Sequence, residues 1–446
     1  MGLYCQQDCE TAVRAECNLA IMATESTAIR DDGKSKPRVL QTEFVTVAVL
    51  SLSWALVLLD ITGINFLMPF IAPSLKLDNT HIGILESAYW LPFGLSSYLT
   101  GELADRFGRR KILFLIVMLL FSLFSVLPGL TTSFAALLTA RLIMGLFAGP
   151  ILPLAQSIVA TECPAERRGM DMGIVQNVGS SVLGLIAPIL LVALAVRWGW
   201  RVGFFVVAIP GLICAVLIAL SLRGRLEAKV VIAVDGSVLA HRRKGLGELL
   251  RYRNMWLCII NACLFTAFVL IARGYMPLFF TRIQHMPPGR MGILMSVLAV
   301  SGLMLGIVFP AMADRIGRKP TAVISSLLGL ACPLAALYYG GPWQVLGLLM
   351  FIGWAPGSAC ILFLATIPSE TVPAHSISAA IGLTFAIGTL IGGFIGPAVA
   401  GWSADHWGLQ SSLLIDAGCA LAMAIISLGL RETKPSRVSS GSPTAA

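Results

Sequence analysis

Charge is scarce in this chain. Only 12% of its 446 residues are Asp, Glu, Lys or Arg, about half the share of a soluble domain. With 57% hydrophobic residues and a mean hydropathy of +0.84, it has too little polar surface to cover a globule in water. Histidine is scarcer still, and His81, His241, His285, His375 and His406 stand singly. No metal centre, cofactor site or catalytic constellation is therefore expected, and an enzyme reading is set aside. The ten cysteines form no framework. Cys214, Cys258, Cys263, Cys332, Cys360 and Cys419 lie singly in apolar segments, each a small hydrophobe, while Cys5, Cys9 and Cys17 lack the paired spacing of a zinc site. A phosphate loop is missing too, because Gly33-Lys34-Ser35 has no leading glycine at position 28, which excludes an ATP-driven pump. Residues 1–44 hold no apolar core of signal-peptide length. Met22 opens a more ordinary polar tail, so residues 1–21 are expected to be an over-extended gene start.

What the sequence has is long apolar runs. A helix needs roughly 20 apolar residues to cross the hydrocarbon. Such runs occur at 45–72, 82–101, 112–130, 134–159, 169–196, 203–222, 255–280, 291–311, 321–339, 344–366, 376–402 and 410–430. The expectation is an all-α membrane protein of twelve spans. Strands of an outer-membrane barrel would be shorter and would alternate.

The formal charge of +9 would suggest nucleic acid in a soluble protein, but the basic residues sit in short loops between apolar runs. With both tails cytoplasmic, 25 of the 32 Lys and Arg fall on the inner side, while Lys76, Arg197, Arg201, Arg282 and Arg290 fall outside. That bias fits an even number of spans with both termini inside a plasma or inner membrane. No nucleic-acid partner is expected, and a monomer in lipid is. The organisation read from the chain is a polar tail (1–44), six spans (45–222), a basic linker (223–254), six spans (255–430) and a tail (431–446). The linker is read as a solvated connection, with contact to anionic lipid head groups as the alternative.

A shift of 209 residues aligns the halves. It lays Asp105-Arg106-Phe107-Gly108-Arg109-Arg110 on Asp314-Arg315-Ile316-Gly317-Arg318-Lys319, Gly83-Ile84-Leu85 on Gly292-Ile293-Leu294, and Pro164-Ala165 on Pro373-Ala374. It also lays Gly179 on Gly388, Pro188 on Pro397 and Trp198-Gly199 on Trp407-Gly408. A polar motif, two prolines and several glycines at one offset mark an internal duplication. In duplicated secondary transporters the solute binds near the midplane, and the halves rock around it.

The loop Gly101-Glu-Leu-Ala-Asp105-Arg106-Phe-Gly108-Arg109-Arg110 resembles the signature loop between helices 2 and 3 of the major facilitator superfamily, and Asp314 to Lys319 resembles its weaker second copy. Arg141-Leu-Ile-Met-Gly145-Leu-Phe-Ala-Gly149 is similar to the family's fourth-helix motif. The resemblance covers residues 45–430 and implies two pseudo-symmetric six-helix bundles. It also implies a conformational latch built from Gly101, Asp105, Arg106, Gly108, Arg109, Arg110, Asp314, Arg315, Gly317 and Arg318. In that arrangement Asp105 faces the start of span 11 and Asp314 the start of span 5, each beside a helix N-terminus. The plainer reading is that these arginines only enforce topology.

Asp60, Glu86, Arg141, Arg273 and Asp416 lie inside apolar runs, where each charge needs a partner or a water-filled cavity. Counting 1.5 Å per residue puts Asp60 ~22 Å and Arg141 ~21 Å above the inner face, so these two are the expected pair. Asp60-Ile-Thr62-Gly-Ile-Asn65-Phe-Leu-Met-Pro69 resembles the first-helix motif of proton-driven drug exporters. Asp60 is thus a candidate proton-linked group with Arg141 as partner; a static ion pair fixing helix packing is the alternative. Arg273 is read as an outer-end residue that either snorkels or meets a carboxylate on the solute. Glu86 and Asp416 are read as shallow, either gate or interfacial charges. Asn65, Tyr89, Trp90, Gln156, Gln176, Asn177, Asn261, Tyr275 and Trp354 are candidates to line the cavity, with helix–helix hydrogen bonding or interfacial anchoring as the alternative.

Two solute classes compete. Span 5 lacks the glycine pattern usual in exporters, whereas Ala187-Pro188 to Phe204 resembles the corresponding region of organic-anion–proton symporters. Two intramembrane arginines also suit an anion. Proton-coupled uptake of an organic anion is the leading expectation, drug or metabolite efflux the second, and a non-transporting sensor on the same scaffold the third.

Overall fold

The fold was analysed in a computed structural model that describes residues 36–107, 110–163, 167–222, 249–373 and 376–433. These residues form helical rods, here α1 (Lys36–Leu75), α2 (Asn79–Phe107) and α3 (Arg110–Phe124). Next come α4 (Phe134–Ala148 and Ile151–Glu162), α5 (Arg168–Gly173, Ile174–Val178 and Gly179–Trp198) and α6 (Trp200–Leu222). After the linker come α7 (Arg253–Arg282), α8 (Pro288–Ile316) and α9 (Arg318–Leu328 and Ala331–Tyr338). The last three are α10 (Trp343 to Thr371), α11 (Ile377–Ile387, Gly388–Gly392 and Gly393–Trp407) and α12 (Gln410–Leu428). Ten helices among the described residues are long and apolar enough to cross a membrane. The α2 and α5 positions are helical without belonging to that group, although α5 retains the shorter apolar stretch Val182–Trp198.

The surface inverts the logic of a soluble protein. Leu123, Val196, Ile213, Ile307 and Ile425 are exposed, while Asp60, Glu86, Arg141 and Asp416 are buried. Apolar side chains cost nothing against lipid tails, so close packing and polar contacts must hold the helices together. Glycines supply the close approaches. A Cβ on Gly145 of α4 would strike the Tyr89 carbonyl of α2, so Gly145 lets these two helices cross backbone to backbone.

Wide-pitched turns interrupt α5 at Ile174–Val178 and α11 at Gly388–Gly392. Both lie at or beside the glycine pair that the 209-residue shift superposes, Gly179 and Gly388. Such local widening frees carbonyls and eases bending.

The core divides unevenly. At one end of the bundle, one apolar cluster runs from Ile64, Met68 and Ile71 of α1 through Leu191 of α5 to Phe268 and Phe280 of α7 and Met423 of α12. Toward the opposite end the clusters are separate. One holds Trp54, Phe114, Phe121 and Ile158, the other Cys258, Phe309, Phe363 and Ile367. The halves of the sequence are therefore joined at one end, hereafter the closed end, and part toward the other.

The closed end is sealed by α2 against α11 and by α8 against α5. An added Cβ on Gly83 would strike the Pro397 carbonyl, and one on Gly401 would strike the Asn79 carbonyl. The Tyr275 hydroxyl donates to the same two carbonyls, at 3.1 Å to Pro397 and 3.3 Å to Asn79. Gly292 of α8 packs on the Pro188 carbonyl of α5, 3.2 Å from its Cβ position.

Candidate functional site: a buried charge cluster beside a central cavity

The first half of the chain carries a cluster of polar groups away from water. Asp60 on α1 and Arg141 on α4 are both buried. The partner at ion-pair distance from Arg141, however, is Glu86 of α2, with Nη2 to Oε1 at 3.5 Å. Neither Asp60 oxygen has a partner in hydrogen-bond geometry among the described residues, although Asp60 lies within reach of Arg141 and of the Ser125 hydroxyl. The expected Asp60–Arg141 contact is thus replaced by Glu86–Arg141 in this conformation. The cause is helix register: α2 starts at Asn79, before its apolar run, so Glu86 and Arg141 each lie seven residues from their helix starts, ~10 Å in. Glu86 lies deeper than the sequence reading placed it, and both it and Asp416 are fully buried; the Asp416 oxygens have no hydrogen-bond partner among the described residues.

Arg141 also stacks on Tyr89, its guanidinium carbon 4.5 Å from the ring centroid, a favourable contact when desolvated. Its Nε and Nη1, the Tyr89 hydroxyl, the Asn65 side-chain oxygen and the Ser122 and Ser125 hydroxyls are buried without a hydrogen bond. These polar atoms surround two acids and one base, a concentration of polar groups that is unusual away from water.

Beside the cluster lies a cavity of about 220 Å³ that draws its walls from both halves. Leu58, Thr62 and Phe66 come from α1, Arg273 from α7, Met295 from α8 and Trp354 from α10. Arg273 does not snorkel outward. It is half-buried on the cavity wall, with its guanidinium carbon 5.5 Å from the Trp354 ring. Most of the lining residues are apolar, and Arg273, the Thr62 hydroxyl and the Trp354 indole are the polar side chains among them.

The other candidates are dispersed. Asn65 and Tyr89 are buried in the first half. Gln156 donates to Gln176 at 3.3 Å, and Asn177 lies in a helix but outside the residues whose side chains are described. Asn261 is committed to helix packing: it donates to the Leu257 carbonyl at 2.9 Å and accepts from Ser427 at 3.4 Å. Tyr275 is spent on the closed end, and Trp90 packs on Gly393. Of the cavity candidates, Arg273 and Trp354 line it. No group of three or more His, Cys, Asp or Glu forms a metal site among the described residues.

The latch residues divide likewise. Gly108 and Arg109 lie outside the described residues, and the side chains of Gly101, Asp105, Arg106 and Arg110 are not among those described. In the second copy Arg318 pairs with Asp314, and also with Glu370 of α10 at 3.0 Å. Gly317 takes a positive φ of 113°, which turns the chain from α8 into α9. Glu432 then caps α9, accepting from the Arg318 and Lys319 backbone at 2.8 and 3.2 Å. The contacts described for Asp314 and Arg318 are with residues of the second half, while residues 164–166 and the side chains of 168–170 at the start of α5 lie outside those described. Arg315 lies exposed at the end of α8.

Apolar rods around a two-sided cavity, with charge kept inside, define a multi-pass membrane carrier. The sequence profile of the Major Facilitator Superfamily matches residues 50–391 and 291–445, and the chain belongs to that family. It is similar to the hexuronate transporter of Bacillus subtilis, 26% identical over 84% of this chain and 91% of the relative. It is also similar to the multidrug resistance protein MdtG of Citrobacter koseri, 26% identical over 78% of this chain and 84% of the relative. Among solved structures, it shares the fold of a bacterial homologue of the lysosomal transporter Spinster in an inward-facing, unoccupied conformation. That match has a TM-score of 0.73 and 18% identity over 86% of this chain and 96% of the other. The family and these relatives are transporters, not enzymes. This chain is a transporter of the cell membrane.

Proposed function

We propose that this protein takes up a small organic anion together with protons, by alternating access of two six-helix bundles, residues 45–222 and 255–430. Twelve spans with both termini cytoplasmic underlie this reading, so the closed end is extracellular and the conformation inward-facing. The observation that carries it is Arg273 on the cavity wall beside Trp354, a cation placed to meet a carboxylate. Asp60, buried and without a hydrogen bond near Arg141, is the proton-linked group. The hexuronate transporter among the relatives supports an acid as solute. The Asp314–Arg318–Glu370 group and its counterpart around Asp105 and Arg106 form the cytoplasmic latch. The working unit is a monomer in lipid.

Efflux of drugs or metabolites in exchange for protons is the second reading, favoured by the Asp60 motif and by similarity to MdtG. Proteoliposomes with an imposed pH gradient separate the two. Radiolabelled D-glucuronate entering with protons supports uptake, and ethidium exchanging against protons supports efflux. Absence of flux for a broad panel of acids and dyes supports a sensor on the same scaffold.

A further inference from the structure

We infer that Ser51 of α1 and Cys263 of α7 are matching wedges. Each holds open the wide turn of α5 or α11 in its own half, and so favours the conformation in which the closed end is shut. This rests on the reading of the chain as an alternating-access carrier.

The Ser51 hydroxyl donates to the Ile174 carbonyl of α5 at 3.0 Å and accepts from the Gly179 N–H at 3.2 Å. Those two backbone groups stand five residues apart, at the two ends of the wide turn Ile174–Val178. In the second half the Cys263 thiol donates to the Ile387 carbonyl of α11 at 3.7 Å, and the Gly392 N–H lies within reach of the same sulfur. Again the two groups are five residues apart, at the ends of the wide turn Gly388–Gly392. A glycine admits each wedge. A Cβ on Gly179 would lie 2.7 Å from the Ser51 carbonyl, and one on Gly392 would strike the Cys263 carbonyl.

A hydroxyl on a helix has a local alternative, the carbonyl one turn back. Ser53, Thr62 and Thr266 of the same two helices take it, donating to the carbonyls of Val49, Leu58 and Ala262 at 2.8, 2.7 and 2.9 Å. Ser51 and Cys263 instead reach across to another helix. The 209-residue shift lays Ser51 on Ile260 and Ile174 on Leu383, so both partners in the second half lie about one turn further along. Register and residue type differ between the halves, yet the arrangement recurs.

Wide turns are rare because the ordinary four-residue ladder is favoured, and a side chain inserted into the ladder offsets that preference and bends the helix. Beyond the two bends lie Pro188 of α5, packed on Gly292 of α8, and Pro397 of α11, packed on Gly83 of α2. These are the contacts that seal the closed end. Without the wedge the ladder closes to its ordinary pitch, α5 and α11 change course, and their far ends part from α8 and α2.

The test needs no solute. Spin labels on ketone-bearing unnatural residues at Lys76 and Arg290, which leave the cysteines in place, report the closed end of the full-length protein in lipid nanodiscs. The open-to-closed ratio should rise about fivefold in Ser51→Ala, for the loss of the hydroxyl's bonds. In Cys263→Ala it should rise about twofold, because a thiol is the weaker donor, and about tenfold in the double variant. Exchanging the wedges, as Ser51→Cys and Cys263→Ser, should return most of the wild-type distribution. Two distances in wild type that neither alanine variant shifts overturn the inference and leave alternating access standing. A rise that the exchanged wedges fail to reverse also overturns it, because packing rather than hydrogen bonding would then be the cause. One short distance in every protein overturns both readings.

Discussion

The carboxylate of Asp405, near the end of α11, accepts a 2.7 Å hydrogen bond from the backbone N–H of Thr80 at the start of α2. It also accepts from the Asn79 backbone at 3.0 Å and from the Asn79 side chain at 2.9 Å. Asp78 caps the same helix locally, accepting from the His81 N–H at 2.7 Å. Two acids therefore satisfy the orphan donors and positive end of α2, and the one supplied by α11 ties the two halves of the chain together. Asp405 aligns with Val196 at the 209-residue shift, so the first half has no counterpart. Asp405→Asn should weaken closure by about 1 kcal/mol, roughly a fivefold gain in the open population. Spin labels at Lys76 and Arg290 read this as a larger long-distance fraction, and an unchanged distribution contradicts the role.

Arg141 and Glu86 should be strongly coupled. Removing the base alone strands a buried acid, at a cost of about 3–5 kcal/mol, whereas Arg141→Met with Glu86→Gln should recover most of that loss. Thermal unfolding can be followed by a thiol-reactive dye, since Cys214, Cys258 and Cys332 are buried and free. Additive losses in the double variant would show that the pair does not interact.

Gly83→Val places a branched side chain against the Pro397 carbonyl, where α2 and α11 touch. Overpacking of this kind costs about 1–3 kcal/mol, and here the whole cost falls on the closed end. Expression and membrane insertion should persist, with the spin-label distances at Lys76 and Arg290 shifted outward and flux reduced at least tenfold. Wild-type flux would mean that the helices can separate without loss of function.

Much of this architecture was legible in the sequence, for reasons that can be named. Apolar runs mark helices because lipid leaves the backbone few alternatives, and the Asp105 and Asp314 copies betray the duplication. Placing Arg273 on the cavity required the structure, since a depth count cannot give a helix's rotation. The Glu86–Arg141 pair was missed because the apolar run of α2 begins three residues after the helix itself, which made Glu86 look shallow. The Asp405 cap was illegible for another reason: it joins residues 325 positions apart, and neither residue carries a motif.

Glu432 should matter although it lies beyond the last helix. It holds the Arg318 and Lys319 N–H groups at the start of α9. Glu432→Gln should cost about 1 kcal/mol through loss of the charged cap, seen as a lower unfolding temperature with flux retained. An unchanged unfolding temperature would show that the cap is dispensable.

The central claim is that uptake is coupled to protons through Asp60. The most direct measurement compares wild type with Asp60→Asn in proteoliposomes, following radiolabelled D-glucuronate under an inward proton gradient and in gradient-free exchange. The account predicts that wild type accumulates solute against its gradient, while Asp60→Asn still exchanges it but no longer accumulates it. Equal accumulation by both proteins would contradict the account.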